Sequence, residues 1–353
     1  MKVTMADVAQ AAGVSVSTVS RALSHDKARP VSSETAERIL NAAVSLGYLC
    51  STGAEPGSFQ KSSESPRTLT CLLASYFDKY SDYFFTQMLG GINEEATRLG
   101  YRLTHSFAIS QTNLEQIKTQ ITETRFDGLI LLGRYDTQAL DFLRGRTDNI
   151  IYAGLNRLDI GIDEVICDAY GAISALTDHL IRQGNRHIAY VGTIPEQRGN
   201  IVNEHRYRAF CDTMKLASMA IDPDICVDIN PGMDTGYCAA LHLVSLKNPP
   251  DAICCANDTI AIGVISGLRD CGIRIPDTIA VVGMGMDNPE ITNYMVPKLT
   301  SANMQMREIG RFAVKILDDR IRGLHVMPVL TTLPYDLVIR DSSVRMDSRS
   351  SSA

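Results

Sequence analysis

Hydrophobic periodicity separates this chain into an all-α head and an α/β body of two doubly wound parallel-sheet subdomains. Three observations carry that division. Residues 5–49 hold only helical patterns, residues 50–66 lose periodicity altogether, and from residue 68 onward short apolar runs alternate with amphipathic ones. Strand and helix in strict alternation imply parallel strands covered by helices. About ten such strands over roughly 280 residues fit two sheets more comfortably than one.

The elements follow in order. Helices are expected over 5–12, 15–24 and 33–46, the last entered through Ser32 as N-cap and left at Gly47. The stretch CSTGAEPGSFQKSSESP has the Gly, Ser and Pro content of a linker. LTCLLAS, FFTQMLGGINEEATRLG, YRLTHSFA, LEQIKTQITE and GLILLG then open the body, and NIIYAGL, HIAYVG, AICCA and IAVVGMG continue it. The closing RDSSVRMDSRSSSA is polar enough to be expected disordered. This gives a head over 1–49, a linker over 50–67, a body over 68–341 and a tail over 342–353.

Composition bounds the function classes. With 353 residues, 45% hydrophobic and 21% charged, the chain can bury more than one core. No uninterrupted apolar run of about 18 residues is present, and MKVTMADVAQ lacks the apolar centre of a secretory signal, so a cytoplasmic location without membrane contact is expected. Nine cysteines with no Cys-x-x-Cys pair indicate reduced, mostly buried thiols rather than a disulfide framework or a zinc site. The net charge of −6 argues against nucleic acid, but it is unevenly spread. Residues 1–49 carry Lys2, Arg21, Lys27, Arg29 and Arg38 against Asp7, Asp26, Glu34 and Glu37, a net +1 that leaves −7 on the remainder.

The head has its own chemistry. Two short helices joined through Gly13 make a helix-turn-helix pattern, whose second helix would enter the major groove by its N-terminus. Its leading residues are Ser15, Val16, Ser17 and Thr18, short enough to bring the backbone close to base edges. Ser17 and Thr18 offer hydrogen bonds, Val16 suits a thymine methyl, and Arg21, one turn on, reaches a guanine or a phosphate. Thr4 and Ser20 complete the expected DNA-facing set. The competing reading is an ordinary helical hairpin in which Ser and Thr only cap and solvate.

VTMADVAQAAGVSVSTVSRALS followed by VSSETAERILNAAVSLGY resembles the DNA-binding head of the lac and galactose repressor family of bacterial transcription regulators. The likeness continues through FFTQMLGGINEEATRLGY, FDGLILLG, HLIRQGNRHIAYVG, CCANDTIAIGVISGLRDCGIRIPDTIAVVG, VPKLTS and LVIRDSS. EHRYRAFCDTMKL and CCANDT are in addition similar to the trehalose repressors within that family. The resemblance implies a double-stranded DNA operator, a homodimer, a sugar or sugar phosphate effector and no cofactor. It also implies a body like the periplasmic sugar-binding proteins, with an N-subdomain over 68–168 and 297–325 and a C-subdomain over 169–296 and 326–341.

Site residues carry over by position. The family's paired aromatics match Phe84 and Phe85, whose faces suit a sugar ring, although their spacing beside Met88 and Leu89 also suits a core. Its arginine before the second subdomain's helix matches Arg206, a fork for hydroxyls or phosphate or else a surface arginine. Asn257 matches the family's Ala-Asn-Asp asparagine, with helix capping as the alternative. Asn156 and Arg157 match the pair after the fourth strand.

Two departures stand out. After the eighth strand the family commonly places an aspartate that binds effector hydroxyls, where this chain has Gly285, and Asp287 replaces it only if the loop shifts by two residues. Loss of that carboxylate is expected to favour an anionic sugar phosphate, with Arg134 and Arg206 as its partners. The second departure is the hinge, where the family's Asn-x-x-Ala-Arg-x-Leu is Ser51, Thr52, Gly53, Ala54, Glu55, Pro56 and Gly57. Two glycines and a proline oppose a helix, Glu55 faces phosphates, and the wedging leucine is missing, leaving Phe59 as a substitute. A weak or absent operator kink is expected.

Enzyme readings fare poorly. VVGMGMDN supplies only half of a dinucleotide fingerprint and lies far from a first strand. His105, His179, His187 and His205 are dispersed, with no serine elbow or metal spacing. A cytoplasmic small-molecule-binding protein with impaired DNA binding is the alternative to a regulator. The tail has no leucine heptads, which favours a dimer over a tetramer.

Overall fold

The computed structural model describes residues 4–23, 31–32, 35, 38–39, 42, 67–74, 83–109, 114–133, 135, 137–195, 204–285 and 289–345. The chain divides into two compact units, Met1–Glu64 and Ser65–Ala353.

In the first unit, helix α1 (Met5–Ala12) opens on a capping box. The Thr4 backbone N–H and hydroxyl both donate to Asp7 Oδ2 at 2.7 Å, and the Asp7 N–H donates to Thr4 Oγ1 at 3.4 Å. It closes at Gly13, whose φ of 65° lies in the left-handed region that costs glycine nothing. Helix α2 (Val16–Leu23) starts one residue later than expected because Ser15 caps it, its Oγ accepting the Thr18 N–H at 3.2 Å. Of the expected third helix, Thr35, Arg38, Ile39 and Ala42 are helical, and the Thr35 N–H meets Ser32 Oγ at 3.4 Å. The rest of 33–46 and linker residues 50–66, including the hinge departures and Phe59, lie outside the described residues. Val8, Ala9, Ala12, Val19 and Ile39 form the core of this unit.

The second unit contains two six-stranded sheets. The first is laid down by β1 (Thr68–Ala74), α3 (Tyr83–Arg98), β2 (Arg102–Ile109), α4 (Leu114–Glu123), β3 (Gly128–Gly133), α5 (Thr137–Arg144), β4 (Ile150–Gly154) and β5 (Asp163–Cys167). The chain then crosses to α6 (Ala169–Arg182), β6 (Ile188–Gly192), α7 (Arg206–Leu216), β7 (Cys226–Asp228), α8 (Met233–Ser245), β8 (Ala252–Cys255), α9 (Asp258–Asp270), β9 (Ala280–Gly285), α10 (Pro289–Tyr294) and β10 (Thr300–Met304). It returns through α11 (Met306–Ile321) to β11 (Leu330–Leu333) and crosses a last time to β12 (Tyr335–Val338). Strand orders are β2-β1-β3-β4-β5-β11 and β7-β6-β8-β9-β10-β12.

Strand residues sort by parity, as a sheet covered on both faces requires. Leu69, Cys71 and Leu73 of β1 and Ile130 and Leu132 of β3 join the larger core, which runs on into the second subdomain, while Leu72 and Ala74 with Leu129 and Leu131 join a separate one. Helices α3 and α11 touch backbone to backbone. A Cβ on Gly91 would stand 2.0 Å from the Arg307 carbonyl oxygen, and one on Gly310 would stand 2.2 Å from that of Met88. The pair is flanked by an Arg307–Glu94 bridge at 2.9 Å.

Several sequence-based boundaries move. Strand β10 pairs with β9 and β12, so the second crossover falls at Gln305 rather than at 296/297. Strand β11 pairs with β5, so the third falls at Pro334 rather than at 325/326. An apolar run reveals that a strand exists but not which sheet it joins. Strand β12 runs antiparallel to β10, an edge exception in otherwise parallel sheets. The tail begins later than expected, because Ser342 and Ser343 are buried. Ser342 Oγ donates to the Val281 carbonyl at 2.6 Å and accepts the Thr300 N–H at 2.8 Å, so these polar residues satisfy buried backbone between strands. Residues 346–353 lie outside the described residues. Of the eight described cysteines, Cys71, Cys167, Cys254 and Cys255 are buried while Cys238 and Cys271 are exposed, so burial is less general than expected. Burial pushes the Cys71 and Cys254 thiols up to about 12, which keeps them protonated.

One buried carboxylate ties α11 to the first sheet. Asp163 at the start of β5 accepts from Arg320 (Nη2 at 2.8 Å), His325 Nε2 at 3.0 Å and the Val329 N–H at 2.8 Å. Burial pushes its pKa up, but these donors outweigh that and hold it below the usual range. A depressed folded-state pKa adds stability above the unfolded pKa, and this is lost as pH falls through the folded one. Asp163→Asn is therefore expected to lower stability at neutral pH and to flatten the acid limb of the body's stability-versus-pH curve, as read by urea unfolding at stepped pH.

Candidate functional site

In the head, Val16, Ser17 and Ser20 lie exposed along one side of α2 while Val19 is fully buried on the other. That division is what a helix docked on its own core by one face and offering the other to a partner requires. At the leading end, Ser15 Oγ lies 2.8 Å from both Ser17 Oγ and Thr18 Oγ1. The three hydroxyls thus form one cluster around the cap, and Ser15 holds its neighbours' rotamers as much as it presents itself. Thr4 is exposed, with its hydroxyl committed to the α1 capping box. Arg21 belongs to α2, and its side chain is outside the described residues.

In the body, Asn156 and Asn257 stand just past the C-terminal ends of β4 and β8, the side on which open α/β sheets bind ligands, while Phe84, Phe85 and Arg206 lie at the starts of the helices that follow β1 and β6. Phe84 and Phe85 open α3, their rings 4.9 Å apart and edge to face at 83°. Both are half-buried against the larger core, so part of each ring is committed to packing. Asn156 is buried just past β4. Arg157 is instead turned outward and bridges Asp159 at 2.6 Å. The turn they belong to is pinned by Glu164, which accepts the Leu158 and Asp159 N–H groups at 2.8 and 3.0 Å. Burial raises the Glu164 pKa, which those two donors only partly offset. Asn257 caps α9 with its Oδ1 on the Ile260 N–H at 2.9 Å, so a ligand contact would fall to its Nδ2. Buried Asp258 accepts the Ser301 hydroxyl at 2.7 and 2.9 Å, joining α9 to β10.

Arg206, the first residue of α7, is only 3% exposed. Its Nε donates to Glu204 Oε1 at 2.8 Å, its Nη2 to Glu204 Oε2, and its Nη1 to the Ala256 carbonyl at 2.9 Å, just past β8. The fork is thus clamped against a carboxylate two residues back that is itself buried. The structure corrects the surface reading of Arg206. Gly285 ends β9, the strand beside β8. Arg134 and Asp287 lie outside the described residues.

The model of bacterial regulatory proteins of the lacI family matches residues 4–51, and that of the periplasmic binding protein-like domain matches residues 177–343. Residues 4–51 thus carry a head of the lacI family of bacterial regulatory proteins. A curated relative, the HTH-type transcriptional repressor MelR of Bacillus subtilis (strain 168), is 28% identical over 347 residues, covering 95% of this chain and 96% of that protein. Among solved structures, a transcriptional regulator CelR–cellobiose complex shares 24% identity at a TM-score of 0.70, covering 96% of this chain and 99% of its own. The lac repressor dimer bound to operator and the anti-inducer ONPF shares 21% at a TM-score of 0.70, covering 98% and 100%. These two likenesses concern the fold.

The matched head is a helix-turn-helix of the kind found in bacterial transcription regulators. The dinucleotide reading of VVGMGMDN has no support in the structure, because Gly283 lies inside buried strand β9, a late strand of the second sheet rather than a first one. Among the described residues, no helix is long and apolar enough to cross a membrane, and no group of three His, Cys, Asp or Glu residues is placed to hold a metal ion. Sequence reasoning missed Glu204 altogether. The available signal was the spacing Glu-His-Arg at 204–206, which puts a carboxylate within reach of the guanidinium when the chain turns into α7.

Proposed function

We propose that this chain is a LacI-family regulator, a cytoplasmic, homodimeric repressor of carbohydrate genes whose operator affinity is controlled by a sugar or sugar phosphate bound between the body's two subdomains. The observation that carries the DNA half is the exposed Val16, Ser17 and Ser20 face of α2, backed by the Ser15-capped hydroxyl cluster. Thr4, Ser15, Val16, Ser17, Thr18, Ser20 and Arg21 form the DNA-facing set, each good base contact contributing about 1–3 kcal/mol of discrimination. A dimer presents two such helices to half-sites about one helical turn apart.

The effector half rests on three crossovers joining two sheets, with Asn156 and Asn257 just past strand ends and Phe84, Phe85 and Arg206 at helix starts. Arg134, as a phosphate partner, and Asp287, which takes the place of the family's aspartate only with a two-residue loop shift, complete the set. Ligand-dependent closure couples to the heads with an energy of about 1–3 kcal/mol, and the coupling is reciprocal. The cellobiose-bound neighbour and the operator-bound dimer support the two halves by likeness of fold.

Selecting binding sites from a random duplex library with the full-length chain tests the DNA half. A two-fold symmetric motif is expected, and enrichment without symmetry or motif opposes it. The altered linker favours a second reading, a small-molecule-binding protein with a weakened grip on DNA, which the same selection separates. On a selected site, a circular-permutation bending assay is expected to show little central kink, since Gly53, Pro56 and Gly57 oppose a hinge helix and no leucine stands ready to wedge the minor groove.

A further inference from the structure

Two half-buried cysteines meet around one tyrosine at the β7 edge of the second sheet. In the β6–β7 ladder Tyr190 stands opposite Cys226, and neighbours in parallel register point to the same face. That face is the one α7 covers, because the Tyr190 ring lies 5.1 Å from the ring of Tyr207 and 5.5 Å from that of Phe210, both on α7. Cys211 follows Tyr207 by one helical turn and so shares its side of the helix. The Tyr207 hydroxyl is within hydrogen-bonding reach of both thiols. Strand β7 is an edge strand and each cysteine keeps part of its surface exposed, which leaves the pair open to a small ion. Cys226 is the first residue of β7, so the pair lies away from the C-terminal strand ends at which Asn156 and Asn257 stand.

Burial pushes the Cys226 thiol up to about 11, so at neutral pH it is protonated and a poor nucleophile toward peroxide. A thiophilic cation is not stopped by that, because coordination displaces the thiol proton outright. Sulfur donors select soft cations. Among the described residues no group of three or more Cys, His, Asp or Glu is placed to hold a metal, so the pair suits a cation content with two ligands, as Cu(I) is. We infer that Cys211 and Cys226 form a two-sulfur site for Cu(I) that bridges α7 to the edge strand β7, with the Tyr207 hydroxyl donating to a coordinated sulfur. Binding exchanges two S–H bonds for two S–Cu bonds, releases two protons to solvent and changes no oxidation state. Tyr207 then acts as the outer partner that orients and stabilises a thiolate ligand.

The test titrates the reduced full-length chain, without oxygen, with Cu(I) held by a chromophoric chelator. Wild type is expected to withdraw Cu(I) from the chelator. Cys211→Ser and Cys226→Ser should each weaken that uptake by about tenfold or more, since losing a ligand costs at least what losing an outer partner does. Cys238→Ser/Cys271→Ser removes the two exposed thiols and is expected to leave uptake unchanged. The inference is overturned if wild type withdraws no Cu(I), or if either single variant, folded, matches wild type. Should the single variants fail to fold, alkylation of wild type decides, read residue by residue by mass spectrometry. Cu(I) is expected to slow the reaction of Cys211 and Cys226 by about tenfold or more relative to that of Cys238 and Cys271, because a coordinated sulfur is withheld from the reagent. Equal protection of all four cysteines, or none of the pair, counts against the inference.

Discussion

Replacing Val19 by aspartate is expected to abolish operator binding while leaving the body folded. Val19 is fully buried, and among the described residues the core of its unit holds Val8, Ala9, Ala12 and Ile39 besides it. Domains this small have little stability in reserve. An unpaired carboxylate there costs at least about 3 kcal/mol, more than such a head can absorb. Calorimetry should show the body transition at its wild-type temperature with any separate head transition gone. Ser17→Ala is the informative contrast. It leaves the core intact and should weaken a cognate site by about 1 kcal/mol or more with little effect on non-specific DNA, because a base contact is lost and phosphate contacts are kept. If Val19→Asp binds operator normally, α2 is not the reading helix.

The second large effect concerns stability of the body. Arg206→Met strands a buried carboxylate and Glu204→Gln strands a buried guanidinium, and each is expected to cost about 3–5 kcal/mol in urea unfolding at neutral pH. The double variant leaves neither charge and should recover most of the loss, since a buried ion pair replaced by groups of similar shape is often close to neutral. The double-mutant cycle thus isolates the coupling between the two residues. Additive losses would mean that Glu204 and Arg206 act independently, contrary to the three-point clamp through Glu204 and Ala256.

What the sequence disclosed follows from what local patterns encode. Helices α1 and α2, the turn at Gly13 and the alternation of strands and helices were legible because periodicity, glycine and capping residues act within a few residues of where they stand. Sheet membership was not legible. Nothing in Thr300–Met304 or Leu330–Leu333 says which sheet edge each will meet, so two crossovers were misplaced by several residues. Ser342 and Ser343 looked like tail because a serine that satisfies buried backbone is chemically the same as one facing water. At the candidate effector site, Phe84, Phe85, Asn156, Arg206 and Asn257 do fall at strand ends or helix starts. What sequence position could not convey was commitment: Asn257 Oδ1 is used by a cap and Arg206 by Glu204.

The central claim is that a ligand held by the body changes the grip of the head on a specific operator. Fluorescence anisotropy of the full-length chain on labelled DNA from upstream of its own gene, repeated with a panel of neutral sugars and their phosphates at two salt concentrations, measures this directly. One palindromic fragment should bind with an affinity that survives the higher salt, because phosphate contacts alone are strongly screened, and one ligand of the panel should shift that affinity by about 5- to 150-fold. Weak binding erased by salt, identical across fragments and unmoved by any ligand, would contradict it.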